Sequence, residues 1–436
     1  LASGGAERGA DRGLLREPPG AFGYNAPMLT KRERWILILL VISAFINYVD
    51  RATLSVGAAS IQAELRISDY QLGLLLSAFF WTYAALQILA IAGLLVDRFH
   101  VGWIYAAGYF LWSAATAGTG LSRTFAALFA MRLLLGAGES VAYPAYARIF
   151  ASFPEERRGF ANAAIDAGTR CGPAVGTLIG GLLMAHYGWR AFFLALGLGS
   201  MIWLVVWVFS MPRNWRISAK EEAGELPGVS AILRQRSAWF TFFGLFCGNY
   251  FWYFLVTWLP PYLQKERHFP ASKMAVWGAA AFLTASISSL VSGWVSDLWI
   301  SHGGTPTRVR KTFTGAGLTL ATIIIPVSAI HDDTLAMVFL LTSCVFIGMW
   351  SSNNWAVSQT LAGPHAAGKW CAIQNGVGNL SGVTAPWFTG WVVGQTGHFF
   401  IAFLVASVIA LAGAGMYVLG VGPVKPVVFA PRHQKA

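Results

Sequence analysis

Five ionisable residues stand in the middle of long apolar runs: Asp50 and Arg51 in the first, Arg132 and Glu139 in a later one, and Arg170 in the next. A charge at the centre of a bilayer costs roughly 2.5–3.5 kcal/mol on insertion scales, so such residues face a bundle interior or a water-filled cavity and find partners there. The chemistry open to them is anion binding and proton carriage. A guanidinium offers a forked pair of donors that fits a carboxylate and that lysine does not reproduce. A carboxylic acid in a low-dielectric site holds its proton, and an approaching arginine releases it, so protonation follows conformation. The five together carry three positive and two negative charges, a surplus that an anionic substrate balances. No histidine falls within an apolar run. Proton handling therefore falls to Asp50 and Glu139.

Spacing says how these groups share a helix. Arg132 and Glu139 are seven apart, so they lie on one face about two turns from each other and do not easily pair. Asp50 and Arg51 are adjacent and diverge by about 100°. The expectation is that Asp50 meets Arg132 while Arg51 projects into the cavity as a surplus guanidinium and Glu139 remains an unpaired carboxylate. The alternative, above all for Asp50 with Arg132, is a structural ion-pair network that holds helices 1, 4 and 5 together.

The elements that position them are membrane spans. Residues of the AVILMFWYC set make up 56% of the 436 residues and charged residues only 11%, less than half of the usual share of about 25%. So few charges cannot cover the surface of a soluble fold of this size. Runs of about 20 apolar residues, enough to cross a bilayer, fall near 35–59, 70–95, 102–121, 125–150, 160–185 and 190–211, then near 238–263, 274–300, 312–330, 335–361, 369–395 and 398–420. The expected fold is an all-α integral membrane protein of twelve transmembrane helices in two six-helix bundles. Its parts are a disordered segment 1–29 with no signal peptide, an N-terminal bundle 30–211, a cytoplasmic linker 212–237, a C-terminal bundle 238–422 and a cytoplasmic tail 423–436. Met28 offers an alternative start.

Charge placement supports the count. Of the 31 Lys and Arg residues, 19 fall in segments that are cytoplasmic if both termini are inside, six in the opposite segments, three in the far N-terminus and three within spans. That bias follows the positive-inside rule. The halves also echo each other. Gly93-Leu-Leu-Val-Asp97 closes the second span as Gly293-Trp-Val-Ser-Asp297 closes the eighth, and Gly168 and Gly172 recur as Gly378 and Gly382. Duplicated six-helix units with a midplane site between them are a transporter architecture.

Other classes fit poorly. The net charge of +12 lies between apolar runs rather than on one face, which excludes nucleic acid as a partner. The four cysteines, Cys171, Cys247, Cys344 and Cys371, form no CxxC pair and have no neighbouring histidine, so no metal site is expected. A receptor needs a soluble signalling domain, and the longest internal polar stretch is too short for one. No nucleophile, metal cluster or cofactor motif points to an enzyme. An exporter, antiporter or facilitator of another small molecule remains the alternative within transport.

Residues 30–422 resemble the major facilitator superfamily, and within it the anion:cation symporter family that carries organic anions such as sugar acids. The resemblance rests on Asn47-Tyr-Val-Asp50-Arg51, on Gly93 to Arg98 as the G-x-x-x-D-R loop, and on Arg132-x-x-x-Gly136-x-x-Glu139 followed by Pro144. Pro154-Glu-Glu-Arg157-Arg-Gly159, Thr257-Trp-Leu-Pro-Pro-Tyr262, Ser351-Ser-Asn-Asn-Trp355 and Asn375-Gly-Val-Gly-Asn379 continue it. The loop alone is common to the superfamily; the combination is more specific. It implies a substrate carboxylate on Arg51, polar contacts from Tyr83, Thr169, Ser352, Trp355 and Asn375, with Asn249 and Tyr253 as further candidates, and proton coupling through Asp50 and Glu139 with Arg132 as partner. Each aromatic or small polar residue among them is equally at home filling a helix interface. Asp97, Arg98 and Asp297 are expected to latch helices as gates. Two departures stand out: Asp97-Arg-Phe-His100 lacks the usual glycine, and Arg170 adds a charge after Thr169, where relatives often place a neutral residue. Arg170 is thus a candidate for a second carboxylate, as in a dicarboxylate or aldarate. The resemblance implies a monomeric symporter in the bacterial inner membrane, with protons, a small organic anion and the lipid bilayer as partners and no cofactor.

Overall fold

A computed structural model of the chain describes residues 29–89, 91–150, 152–153, 155–212 and 228–429. The expected disordered segment except Leu29, most of the linker, and the end of the tail lie outside these residues.

Among the described residues, nine helical stretches are long and apolar enough to cross a membrane. The longest breaks at Gly188 (φ 78°), and two further helices, one the run after Gly363 (φ 63°), complete twelve spans. Both break glycines adopt backbone angles that a side chain disfavours, so each reverses the chain within one residue. In chain order the spans are α1 Lys31–Val56, α2 Asp69–Ile88, α3 Val101–Leu121, α4 Phe125–Phe150, α5 155–187 and α6 189–210. The second set is α7 Arg236–Lys265, α8 Ala271–Ser301, α9 Pro306–Ser328, α10 333–362, α11 364–396 and α12 Phe400–Gly420. The twelve-helix expectation therefore holds, with ends shifted by a few residues.

Local sequence sets the ends. Thr30 with Glu33 and Ser68 with Gln71 form reciprocal capping boxes that open α1 and α2. Proline shapes the interiors. Pro144 lacks an N–H for the carbonyl four residues back, Ser140, and the helix of α4 is interrupted at residues 140–141, directly after Glu139. Pro260 in α7 likewise frees the Val256 carbonyl, and Ser55 of α1 donates to it at 2.8 Å. A sequence break thereby becomes a tie between the halves.

Two apolar clusters divide the molecule unequally. One, with Leu40, Phe79, Tyr105, Trp112, Trp203 and Trp207, lies within the first six spans. The other fills the second six and takes in Leu54, Ile61, Leu72, Leu75, Trp189 and Phe193 of the first. These shared residues lie toward the face opposite the start of α1, called here the distal face. The seam there is made of small residues. A Cβ on Gly73 of α2 would meet the Pro386 carbonyl oxygen at 2.7 Å and Gly390 Cα at 2.9 Å on α11, and Gly181 of α5 lies as close to Ala275 of α8. An Asp69–Lys265 ion pair crosses the seam at the same end, and Gln62 donates to the same carboxylate at 3.0 Å. The halves are thus drawn together distally.

Candidate transport site

Arg51 is the centre of the site. Its buried guanidinium donates from Nε to Glu139 Oε2 at 2.9 Å. It also lies over three aromatic rings, with centroids at 4.7 Å for Tyr48 and 4.8 Å for Phe79 and Tyr83. Such faces attract a cation, more strongly when it is desolvated. This corrects two expectations: Arg51 is not a surplus charge and Glu139 is not unpaired. The seven-residue spacing keeps Glu139 from Arg132 on its own helix but lets it reach α1.

Asp50 turns the other way. One carboxylate oxygen accepts from Thr116 of α3 at 3.2 Å, and the other has no partner within the protein. Among the described residues no ion pair joins Asp50 to Arg132, contrary to expectation. Thr116 has taken the aspartate, while the Arg132 guanidinium lies 5.7 Å from the Phe79 centroid and within electrostatic reach of Asp50 and Glu139.

Arg170 is paired as well. It donates to Asp166 Oδ2 at 2.7 Å and to Ser351 of α10, across the seam, at 3.2 Å. The expected three-to-two charge count omitted Asp166; the site region holds three charges of each sign. The four-residue spacing of Asp166 and Arg170 on one helix was the signal that would have found it. Thr169 is buried and donates to the Asp166 carbonyl at 2.8 Å.

A cavity of about 20 Å³ lies between the halves. Tyr48, Arg51, Leu76, Phe79, Phe80, Arg132 and Pro173 line it from one side, and Trp252, Tyr253, Val256 and Thr257 from the other. That is room for about one water. Pockets for small ligands are about 300–1,000 Å³, so a substrate enters only when the halves part.

Of the other expected contacts, Tyr83 lies behind the wall, stacked on Phe79 at 5.3 Å. Tyr253, on the wall, donates to Asn379 Oδ1 at 2.7 Å, and Asn379 Nδ2 donates to the Asn375 side chain at 3.1 Å. Asn249 approaches Gly378 of the same helix, α11. These residues form one polar group between α7 and α11. Ser352 pairs with Ser292 of α8 at 3.3 Å, and half-buried Trp355 packs in the second apolar cluster. Neither lines the cavity. Asn379 and Ser351 are the additions.

The expected gates are dispersed. The Asp97 side chain lies outside what is described, and Arg98 is exposed beside Phe99. Asp297 accepts from Arg310 Nη2 at 2.6 Å, and Arg310 also reaches Asn353 of α10 at 3.0 Å, tying α8, α9 and α10 within one half. At the distal face Glu64 accepts from Arg190 Nε at 2.8 Å and Trp189 Nε1 at 2.7 Å. These bonds, the Arg190 one first, hold the carboxyl below its ordinary 4.5 against the opposing effect of its slight burial. The four cysteines are free, and no cluster of metal-ligating residues occurs among the described residues.

Comparison with known proteins agrees with this architecture. The Major Facilitator Superfamily family model matches residues 40–386. A probable galactarate/D-glucarate transporter of Bacillus subtilis (strain 168) is 28% identical, over 92% of this chain and 94% of its own. The D-galactonate transporter of Escherichia coli O6:H1 is 30% identical, over 92% and 99%. A solved structure of a bacterial homolog to the human lysosomal transporter Spinster, in an inward-facing and unoccupied conformation, superposes with a TM-score of 0.78 at 18% identity, covering 90% of this chain and 98% of that one. With twelve spans, an internal repeat, a charged site between the halves and a family match across most of its length, the chain belongs to the major facilitator superfamily and is an integral membrane transporter.

Proposed function

We propose that the chain is a proton-coupled symporter that imports an organic anion, a sugar acid such as a hexuronate, aldonate or aldarate, by alternating access across the bacterial inner membrane, acting as a monomer with both termini in the cytoplasm. The observation that carries this reading is the Arg51–Glu139 ion pair at the edge of the cavity between the halves. One guanidinium cannot offer its Nε to Glu139 and to a substrate carboxylate at once. A proton on Glu139 removes the internal anion and leaves Arg51 for the external one. Proton and substrate are then bound together because each makes room for the other, and their joint binding shifts the balance between the two open states. The names of the relatives, transporters of galactarate, D-glucarate and D-galactonate, support a polyhydroxy carboxylate as the anion.

The test is uptake of labelled hexuronates, aldonates, aldarates, dicarboxylates and neutral sugars into proteoliposomes, with and without an inward proton gradient, for the parent and Arg51→Ala. Gradient-driven accumulation of an acid, lost in the variant, is the expected result. Transport of a neutral sugar that Arg51→Ala leaves intact would overturn the reading and return the buried charges to a structural role.

A further inference from the structure

Asp50 is sealed from the substrate cavity. The cavity wall includes Arg51 and Arg132 but not Asp50, whose side chain leaves α1 about 100° from that of Arg51. The groups facing it are Thr116 and Tyr109 of α3 and Glu139 and Arg132 of α4. Glu139 bonds Arg51 through one oxygen, and its other oxygen has no partner within the protein. Around it stand Arg51 and Asn47 of α1 and Arg132 and Tyr146 of α4. Each carboxylate therefore lies within electrostatic range of a tyrosine that the transport site does not use.

Those tyrosines belong to a buried hydroxyl cluster. Ser43 Oγ lies 2.6 Å from the Tyr105 hydroxyl and 3.4 Å from that of Tyr146, and the two tyrosine hydroxyls are 3.0 Å apart. Tyr109, one turn along α3, has a hydroxyl with no hydrogen-bond partner in the protein, and its polar neighbours are Asp50, Tyr146 and Ser200. Its ring is fixed between Trp112 and Trp203, with centroids at 4.2 and 4.1 Å. Helix register gives the direction. Asp50 is level with Thr116, and Ser43, seven residues nearer the start of α1, is level with Tyr105, a displacement of about 10 Å toward the face where α1 begins. Tyr146 lies seven residues beyond Glu139 in the same direction. Tyr105 is four residues, about 6 Å, inside the first residue of α3 at that face.

We propose that Tyr109, Tyr146, Tyr105 and Ser43 form a proton relay inside the first bundle, carrying protons between the Asp50 and Glu139 carboxyls and the face where α1 begins, on a path separate from the substrate cavity. The proposal rests on the proton-coupled reading above. A hydroxyl both accepts and donates. In the first transfer the O–H bond of the carboxylic acid breaks as one forms on the next oxygen, that of a hydroxyl or of a water bridging the unpartnered Asp50, Glu139 and Tyr109 oxygens. In each later transfer that oxygen gives up its own proton as it receives one. The last proton goes to water at the face, and every hydroxyl ends neutral. All four are positioning residues: none lines the substrate cavity, and Ser43, Tyr105 and Tyr146 bond one another.

Tyr146→Phe and Tyr105→Phe remove a hydroxyl and keep the ring, and Ser43→Ala serves as a third variant. With D-galactonate and galactarate as probes in proteoliposomes, each variant is expected to lose about tenfold or more of the proton-driven initial rate and to show a larger solvent deuterium isotope effect than the parent. Exchange of labelled for unlabelled probe at equal pH should keep the parent rate, which also shows that the variant is folded. Parent-like driven rates in all three variants would overturn the relay and leave proton coupling standing. Equal loss of driven uptake and exchange would also overturn it, because the hydroxyls would then be structural. A parent that exchanges a probe yet never accumulates it under a proton gradient would remove the coupling itself, and the relay with it.

Discussion

Glu139→Gln tests the centre of the argument. Glu139 bonds Arg51 through one charge-assisted contact of 2.9 Å, and a hydrogen bond to a charged group is worth about 1.5–3 kcal/mol net. In the parent a substrate carboxylate competes with that contact for the guanidinium. The amide cannot hold Arg51 as an anion does, so the variant should bind its acid about 10- to 100-fold more tightly at a pH where Glu139 is ionised. Its affinity should also lose the pH dependence seen in the parent. The stranded buried guanidinium carries a cost of its own. Breaking a buried pair by removal of one partner is worth about 3–5 kcal/mol, so the empty variant should melt well below the parent and recover on adding substrate. The assay is a thermal-shift titration at several pH values, paired with proteoliposome accumulation and exchange. Accumulation against a gradient should vanish while exchange persists. Parent-like accumulation, or an affinity that still follows pH, would refute the competition of Glu139 and substrate for Arg51.

Two further changes probe the surroundings. A side chain at Gly73 would strike Pro386 and Gly390 of α11, and overpacking costs about 1–3 kcal/mol. Gly73→Leu should therefore disfavour distal closure, so that a cysteine at Leu76 on the cavity wall reacts with a membrane-impermeant thiol reagent from the distal side; unchanged reactivity would count against the seam as the closing surface. For Glu64, whose carboxyl is held below 4.5, the contribution to stability is present above that value and lost as pH falls through the lower folded-state value. Glu64→Gln should thus lower the melting temperature at pH 7 and match the parent in acid, and a gap that persists in acid would contradict the role assigned to the Arg190 and Trp189 bonds.

The spans, the internal repeat and the five charges within spans were legible because apolar length and charge cost are properties of composition along the chain. Pairing was not, because spacing places Arg132 and Glu139 on one face without saying which neighbour that face meets. Glu139 reached Arg51 on α1 and Asp50 reached Thr116, so the expected Asp50–Arg132 pair did not form and the two groups expected to be unpaired met each other. Asp166 was overlooked for a different reason: it sits nearer the start of α5, half exposed, where a carboxylate draws no attention until its four-residue distance from Arg170 is noticed. The role of Pro260 was written in the sequence as a helix fault, but only the fold shows Ser55 bonded to the carbonyl it frees. Tyr109 and Tyr146 were not singled out in the sequence, because only the fold brings them within electrostatic range of carboxyls that have unpaired oxygens.

The equal number of positive and negative charges around the site has an electrical consequence. Asp50, Arg51, Arg132, Glu139, Asp166 and Arg170 sum to zero, so the empty, deprotonated carrier reorients without moving net charge through the membrane field. One proton taken up with a monoanion keeps the sum at zero, whereas two protons leave one positive charge on the loaded form, worth about 2.3 kcal/mol per 100 mV across the full field. On the proton-coupled reading the voltage then acts on the loaded step alone, and the charge moved per substrate is the number of protons carried less the negative charges on the anion.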